Sequence, residues 1–306
     1  MILCAGEALI DMLPRKSAAG EQAFAPYPGG AVFNTAIALG RLEAPVGFFS
    51  GISTDLFGDI LIRSLGGAGV DSSFAHRSDR PTTLAFVTLK NGHASYAFYD
   101  ENTAGRMLSE SDLPRVNDEV EAMFFGGISL VVEPCAAAYE ALIKREASHR
   151  VVMIDPNIRP GFIKDEESYR ARLGRMIGKA DIVKVSDEDL TWLLGEGDID
   201  ALARQLLITG PSLVCVTEGA KGVRGFTSGG VVTVSSRKVA VVDTVGAGDT
   251  FNAGLLAALH ERGVLSKNRI RSIGADDVEM ALSLGSRAAA VTVSRAGANP
   301  PRRDEL

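Results

Sequence analysis

Cysteine is scarce in this sequence, and its three occurrences, Cys4, Cys135 and Cys215, stand singly in apolar runs. No two of them form a CxxC pair, and an odd number of isolated thiols does not provide a disulfide framework. Such usage suits a reducing compartment. The sequence therefore predicts three small buried residues in a cytoplasmic protein.

An excess of basic residues is also lacking, since 32 Lys and Arg face 38 Asp and Glu, for a net charge of −6. Nucleic acids and anionic membranes both bind basic surfaces, so we expect neither as a partner. An anionic substrate stays open, because backbone amides bind phosphate without net positive charge. Hydrophobic residues at 46% and charged residues at 23% are ordinary for a folded enzyme and exclude wholesale disorder.

Long apolar runs and several familiar catalytic motifs are missing as well. No run reaches transmembrane length, and residues 1–10 lack a basic leader, so they indicate a first β-strand rather than a signal peptide. The chain has no Walker-type phosphate loop, no His-Glu-x-x-His and no Gly-x-Ser-x-Gly. NTPases of that type, zinc proteases and serine hydrolases therefore have no support.

What is present is an alternation of short apolar runs with longer stretches of helical periodicity. The runs predict strands at residues 46–50, 122–125, 151–154, 181–185 and 213–217. The periodic stretches predict helices at residues 34–42, 135–147, 169–178 and 190–207. This order is typical of βαβ units. We expect one α/β domain over residues 1–306, with a mostly parallel sheet and helices on both its faces.

Two regions break the alternation because they carry no long helix. Residues 12–28 are rich in Ala, Pro and Gly, and residues 82–100 indicate two strands, 82–89 and 94–99. The four residues between these strands contain Asn91-Gly92, a strong hairpin signal. The two regions form either a small β-lid over the carboxyl edge of the main sheet or an extension of that sheet, and the pattern leaves both open.

The segment 241–254 contains the most informative motif, Gly246-Ala247-Gly248-Asp249. We predict a short strand that ends at residue 243, a glycine-rich turn, and a helix over residues 251–259. A turn of this kind presents unpaired amides at a helix N-terminus and so forms an anion site. Asp249 repels phosphate, but it fits if it takes a proton from a hydroxyl beside the phosphate. The alternative is a structural role as the helix N-cap.

A second motif lies near the N-terminus, where Gly29 and Gly30 precede a polar Asn34 at the start of a helical run. Paired glycines allow the backbone to approach a ligand, and the Asn34 amide can both donate to and accept from a polyol. Asp11 follows the predicted first strand. A loop and a plain helix start would explain this motif alone, but the two motifs and Asp11 together favour a binding site.

These residues resemble the two signatures of the ribokinase-like (pfkB) carbohydrate kinase family, and the resemblance covers nearly the whole chain. It implies a Rossmann-like α/β domain with a β-lid, and ATP-dependent phosphorylation of a sugar. It implies that Asp249 is the catalytic base and that Gly246, Ala247 and Gly248 form an anion hole. The positions that match the family's sugar-binding residues are Asp11, Gly29, Gly30 and Asn34.

The same resemblance implies sites for ATP, Mg²⁺ and K⁺. The residues it assigns to the nucleotide are Lys184, Ser186, Thr217, Gly219, Lys221, Gly222 and Ser286. Asp189 stands where the family has a glutamate linked to Mg²⁺. Its carboxylate oxygens would bind the ion, usually through water. The positions that match the monovalent-cation loop of some relatives are Asp243, Val245, Thr292, Arg295 and Gly297. A homodimer formed through the lid is a further hypothesis.

For the substrate, residues 155–159 resemble the Asp-Pro-Asn-x-Arg segment of bacterial fructokinases and 2-keto-3-deoxygluconate kinases, which implicates Asn157 and Arg159. A Pro-bounded turn with Arg159 in a structural ion pair is the alternative. Asp100 and Glu101 follow the predicted lid and would repel an acidic sugar, although Arg106 lies close enough to compensate. We therefore expect a neutral sugar, D-fructose, with a keto-deoxygluconate or nucleoside kinase as the alternative.

Two alternatives of another class remain. An NAD-dependent oxidoreductase needs three glycines after an early strand, whereas Gly246-x-Gly248 lies near the C-terminus and has Phe251 in the third position. A non-catalytic sugar or nucleotide sensor would not need Asp249. Both are less consistent with the sequence than a kinase.

Overall fold

A computed structural model describes residues 1–90 and 93–306 of the chain. Its strands, in chain order, are β1 (Ile2–Ala5), β2 (Leu9–Lys16), β3 (Gln22–Gly29), β4 (Val46–Phe49), β5 (Gly51–Ser53), β6 (His76–Ser78), β7 (Leu84–Lys90), β8 (His93–Tyr99), β9 (Ala122–Gly126), β10 (Val151–Asp155), β11 (Ile182–Ser186), β12 (Leu213–Thr217), β13 (Val223–Thr227) and β14 (Gly230–Val234). Its α-helices are α1 (Ala31–Arg41), α2 (Leu56–Gly67), α3 (Cys135–Glu146), α4 (Glu166–Ile177), α5 (Asp187–Leu194), α6 (Ile199–Leu207), α7 (Ala247–Glu261), α8 (Lys267–Arg271) and α9 (Ala275–Val293).

The large sheet has the strand order β14-β13-β12-β11-β10-β9-β1-β4. The six strands from β12 to β4 are parallel, and β13 and β14 add an antiparallel edge. The predicted fold class, a mostly parallel sheet with helices on both faces, is confirmed.

Side chains alternate along each strand and so divide the core into two halves. Ile2 and Cys4 pack on the side of α1, α7 and α9, and Leu3 and Ala5 pack on the side of α3 to α6. Because both faces are covered, strands such as β1, β9 and β10 are buried at every position. This explains why their sequences are continuous apolar runs rather than alternating ones. All three cysteines are buried free thiols, as predicted.

A second, separate sheet of four strands has the order β3-β2-β7-β8. It joins the two helix-free regions, because β2 pairs with β7 in parallel and each of them pairs with its neighbour in the chain antiparallel. The hypothesis that these strands extend the large sheet is therefore wrong. The predicted turn residues Asn91 and Gly92 lie outside the described part of the chain.

Three sequence predictions of local structure are wrong. Residues 1–10 form two strands in two sheets, because the chain leaves the large sheet at Gly6, whose backbone packs against Val32. Asp11 consequently lies inside β2 rather than after the first strand. The predicted helix 190–207 is two helices, since α5 ends before Gly195 at φ 90° and the Asp198 carboxylate caps α6 by accepting a bond from the Ala201 amide at 3.0 Å.

The third wrong prediction is the strand that ends at residue 243. Val241 and Val242 are 64% and 63% exposed, and the amides of Val242 and Asp243 donate to the carbonyl of Val293, at the end of α9. The antiparallel edge of the large sheet is made instead by β14, which the apolar pattern did not reveal. Among the described residues, no helix is both long and apolar enough to cross a membrane.

Candidate active site

A cavity of about 1470 Å³ lies between the carboxyl edge of the large sheet and the small sheet. Ligand sites in open α/β sheets favour this edge. Its floor includes Asp155 at the end of β10, Lys184 in β11 and Asp249 in α7, and its other wall includes Leu84 and Tyr99 of the small sheet. The residues that share this cavity come from both sheets.

Asp249 is the third residue of α7, and the helix N-cap is Gly246, which adopts φ 77°. The N-cap hypothesis for Asp249 is therefore wrong. Its carboxylate accepts a hydrogen bond from the Asn34 amide at 2.9 Å, and its main-chain carbonyl accepts one from the Thr35 hydroxyl at 3.2 Å. Asp249 is consequently held against α1 and does not satisfy the end of its own helix.

Burial raises the pKa of Asp249 to about 7. The hydrogen bond from Asn34 and the charge of Lys184 act in the opposite direction, whereas the negative charges of Asp155 and Glu7 raise the pKa further. A carboxylate with this pKa gains and loses a proton near neutral pH. It therefore has the property expected of a general base.

The N-terminus of α7 borders the cavity through Gly246, Ala247 and Gly248. The Ala247 amide donates to the carbonyl of Thr244 at 3.3 Å, but no side chain caps this helix end, so the amides of Gly248 and Asp249 and the positive end of the helix dipole are available to an anion. A Cβ atom on Gly248 would lie 3.2 Å from the Lys184 ammonium nitrogen. Glycine at this position thus brings the Lys184 charge against the helix backbone.

Lys184 is buried and forms an ion pair with Asp155, at 3.0 Å between Nζ and Oδ2. The Asn252 amide donates to the same Asp155 oxygen at 2.7 Å. Burial alone would lower the pKa of Lys184, but the charge and hydrogen bond of Asp155 and the charges of Asp189 and Asp249 together outweigh it, so the pKa lies above its usual value. The pair places a fixed positive charge beside the α7 amides.

Sequence reasoning missed the roles of Asp155, Asn252 and Glu7. Glu7 is half-buried and accepts hydrogen bonds from the amides of Ala31 at 3.0 Å and Ser129 at 3.3 Å, so it fixes the start of α1. Burial raises its pKa. The sequence did contain a signal for two of these residues. Glu7 is the single acid within the apolar run 1–10, and Asp155 is an acid that directly follows the predicted apolar strand 151–154.

The predicted sugar residues meet on one side of Asp249. Asp11, Gly30 and Asn34 line the cavity, and burial raises the pKa of Asp11 to about 6. Gly29 lies behind Asp11 and does not line the cavity. A Cβ atom on Gly29 would lie 2.2 Å from an Asp11 carboxylate oxygen, so a side chain at this position would displace the Asp11 carboxylate.

Asn157 and Arg159 also line this cavity. Asn157 adopts φ 43°, and its main-chain amide donates to the Asp155 carboxylate at 3.1 Å. Arg159 donates to the carbonyl of Ile158 at 3.0 Å, and no carboxylate of the described residues forms an ion pair with it. The structural ion pair considered for Arg159 is therefore not formed with any described residue.

Of the residues assigned to the nucleotide, only Lys184 lines this cavity. Ser186 and Thr217 end neighbouring strands β11 and β12 and pair in register. Gly219 and Lys221 lie in the turn that follows β12, and Gly222 at φ 110° is packed so closely that a Cβ would lie 2.2 Å from the carbonyl of Val234. These residues share the carboxyl edge of the sheet but not the cavity. Ser286 lies in α9.

Ser186 and Asp189 cap α5 reciprocally. The Asp189 amide donates to the Ser186 hydroxyl at 2.9 Å, and the Asp189 carboxylate accepts from the amides of Ser186 at 3.4 Å and Ile158 at 3.0 Å. Burial and the charge of Asp155 raise the pKa of Asp189. Each of its carboxylate oxygens thus accepts one backbone hydrogen bond, and residues 1–90 and 93–306 contain no group of three or more His, Cys, Asp or Glu side chains arranged to hold a metal ion.

The residues of the predicted cation loop come together at the start of α7 and the end of α9. The Asp243 carboxylate accepts from the amides of Val245 at 3.1 Å and Gly297 at 2.9 Å. The Arg295 amide donates to the carbonyl of Thr292 at 3.0 Å. The structure thus joins the two segments through Asp243.

Comparison with known proteins gives consistent matches along the chain. The model of the pfkB family carbohydrate kinases matches residues 1–305. The fructokinase of Rhizobium leguminosarum bv. trifolii is 57% identical over 273 residues, which cover 89% of this chain and 84% of that protein.

Solved structures give the same picture. The fructokinase of Xylella fastidiosa with bound ATP is similar with a TM-score of 0.87 and 30% identity, over 97% of this chain and 93% of that one. A double mutant of the Vibrio cholerae O395 fructokinase, in a form with bound fructose, ADP and potassium ion, has a TM-score of 0.84 and 28% identity over 97% and 93% of the two chains.

Proposed function

Because this chain belongs to the pfkB family of carbohydrate kinases, we propose that it transfers the γ-phosphate of ATP to D-fructose and forms fructose 6-phosphate. The observation that carries the proposal is the buried Asp249 carboxylate beside the uncapped amides of α7. The identity of 57% to a bacterial fructokinase supports fructose as the sugar. Family membership removes the oxidoreductase alternative.

Asp249 acts as the general base in this mechanism. Its ionised carboxylate accepts the proton of the sugar hydroxyl as the oxygen attacks the γ-phosphorus, and the Asn34 hydrogen bond at 2.9 Å orients it. A pKa of about 7 leaves a large fraction ionised at neutral pH while keeping enough basicity to take a proton.

The first amides of α7 and the Lys184 ammonium stabilise the negative charge that the phosphoryl group carries during transfer. Phosphoryl transfer depends mainly on positioning and on such electrostatic stabilisation. Asp155 holds Lys184 at 3.0 Å, so the charge is in place before ATP binds. Preorganisation of this kind avoids a reorganisation cost during the reaction.

We assign ATP to the carboxyl edge of the large sheet at β11 and β12. The residues assigned to it are Lys184, Ser186, Thr217, Gly219, Lys221, Gly222 and Ser286. Magnesium, when bound with ATP, supplies neutralisation of the phosphate charge. Asp189, whose carboxylate oxygens each accept one backbone hydrogen bond, would contact this ion through water. The loops joined by Asp243 would hold K⁺ through main-chain carbonyls.

We assign the sugar to the part of the cavity lined by Asp11, Gly30, Asn34, Asn157 and Arg159. Carboxylate and amide groups suit the hydroxyls of a neutral ketose. The small sheet would serve as a lid that covers the sugar and excludes water, and it would also carry a homodimer contact. A cytoplasmic location remains part of the proposal.

A coupled ADP-release assay with ATP and Mg²⁺ tests this function over fructose, ribose, keto-deoxygluconate, tagatose and adenosine. Fructose should give the highest kcat/KM. A clear preference for keto-deoxygluconate or adenosine would overturn the sugar assignment and leave the kinase assignment intact. No sugar-dependent ADP release with any of the five would contradict both.

A further inference from the structure

The segment that follows the small sheet carries an ion pair on the cavity wall. An Arg106 terminal nitrogen, Nη1, lies 3.0 Å from an Asp100 carboxylate oxygen, and both residues line the cavity. The two side chains are mostly buried, at 23% and 18% exposure. The pair therefore belongs to the cavity wall rather than to the open surface.

Neighbouring contacts keep both partners in place. The Arg106 Nε donates to the carbonyl of Glu133 at 3.1 Å, and the Thr103 hydroxyl donates to the carbonyl of Asp100 at 2.9 Å. The Glu133 carboxylate pairs with Arg172 instead of with Arg106. Asp100 is thus the carboxylate that neutralises Arg106.

The other charges that line the cavity determine how much this neutralisation matters for the binding of an acidic sugar. Eight carboxylates and five basic side chains line it, and three of the basic side chains pair with acids of the same wall: Lys184 with Asp155, Arg172 with Glu133, and Arg106 with Asp100. A planar guanidinium is the best protein partner for a carboxylate. The guanidinium of Arg106 already pairs with a carboxylate of the chain itself, that of Asp100.

We propose that Asp100 is a specificity-determining residue, which occupies Arg106 and so withholds this guanidinium, though not that of Arg159, from the carboxylate of an acidic sugar. This deepens the proposed function and rests on it, since it explains why the site takes neutral sugars. In the sequence alone Arg106 could favour an acidic sugar, but its Nε and Nη1 donors are engaged by the Glu133 carbonyl and the Asp100 carboxylate, so they are not free for a bidentate pair with a sugar acid. The proposal concerns discrimination between sugars and assigns no chemical step to Asp100.

Isothermal titration with D-gluconate, a six-carbon sugar acid, and with D-fructose tests the proposal, and the readout is the ratio of the two affinities. Asp100→Asn should shift this ratio toward gluconate by about tenfold, the size of one charge-assisted hydrogen bond. Glu101→Gln is the matched control, because it removes the same charge one residue later from an exposed side chain that also lines the cavity. It should shift the ratio by less than about twofold, as expected for an exposed charge.

Two further variants decide which cation is involved. The double variant Asp100→Asn/Arg106→Gln should lose the gain, and Arg106→Gln alone should weaken gluconate binding because it leaves Asp100 unpaired. If thermal unfolding shows that Asp100→Asn is not folded, Arg106→Gln still tests the proposal by itself.

Equal shifts in Asp100→Asn and Glu101→Gln, or a gain that persists in the double variant, would overturn the proposal. Tighter or unchanged gluconate binding in Arg106→Gln would overturn it too. Binding is measured without turnover, so a wild-type protein that fails to phosphorylate fructose would contradict the proposed function and not this one.

Discussion

The two walls of the cavity differ in how their residues are held. On the large-sheet wall, Asp249, Asp155 and Lys184 are buried on a parallel strand or on a long helix, and each is bonded to at least one other element. The small sheet carries large exposed aromatic side chains, among them Tyr27 and Tyr99, and Tyr99 lines the cavity. Phe98 of this sheet packs on Phe162 across the cavity, with 4.4 Å between ring centroids. The comparison indicates a rigid wall for chemistry and a more loosely attached wall for covering the substrate.

The most severe test of the rigid wall is Asp249→Asn. General-base assistance is worth about 10²–10⁴-fold, so kcat with fructose should fall by at least that factor while fructose and ATP affinities change little. Since the helix N-cap is Gly246, the substitution removes no cap, and the melting temperature should stay close to that of the wild type. Steady-state kinetics, titration calorimetry and thermal unfolding measure the three quantities.

Asp276→Asn is its control, because Asp276 is an exposed acid in the first turn of α9. This variant should keep full activity. Near-wild-type turnover in Asp249→Asn would remove the mechanism proposed here.

The second prediction concerns the buried pair on the same wall. Lys184→Met leaves the Asp155 carboxylate buried without its cation, and breaking such a pair costs about 3–5 kcal/mol in the free energy of unfolding. Urea unfolding measures this loss. Lys164→Met is the control, since exposed Lys164 lines the cavity without an acidic partner among the described residues.

The double variant Lys184→Met/Asp155→Asn should recover part of the stability, because the unpaired charge is gone, yet stay impaired in turnover because the positive charge beside α7 is also gone. A stability loss as large in the double variant as in Lys184→Met would show that packing, not charge, explains the loss.

The third prediction is a pH dependence. Because Asp249 must be ionised to accept a proton, kcat/KM should fall as the pH drops below about 7, the pKa of this carboxyl. The Asn34 hydrogen bond stabilises the ionised form and lowers that pKa. Asn34→Ala should therefore move the acidic limb of the profile to higher pH. A limb that stays in place, or moves to lower pH, would mean that another group titrates.

Much of the rigid wall could be predicted from the sequence, because strand ends and glycine-rich helix starts leave local signals. Gly246 to Asp249 and Asn34 were recognised in this way. The partners Asp155 and Asn252 lie 97 residues apart in the chain, and their contact depends on how β10 and α7 pack. Such long-range pairing has no local signal, and a single sequence does not reveal it.

The looser wall was predicted less well for a different physical reason. The strands of the small sheet were found, but one pattern suits both a separate sheet and an edge of the large sheet. The choice depends on the break at Gly6, where the backbone packs against Val32 and leaves the first sheet. Val241 and Val242 produced the opposite error, a predicted strand that does not form. An apolar β-branched run resembles a strand even where, as here, the backbone amides bond to the end of a helix.

The smallest expected effect tests whether the small sheet closes over the sugar. Hydrogen exchange in residues 12–28 and 82–100 should slow when fructose binds, and Phe162→Ala should weaken that protection because it removes the ring that contacts Phe98. An aromatic pair is worth about 0.5–1.5 kcal/mol, so the fructose KM should rise by about two- to tenfold. Phe24→Ala is the matched control. It removes an aromatic contact of the same sheet, with Phe86 at 5.0 Å between ring centroids, but Phe24 does not line the cavity. If exchange is unchanged at saturating fructose, or if both variants raise KM equally, the contact across the cavity does not hold a lid, and the two walls do not differ in the way proposed.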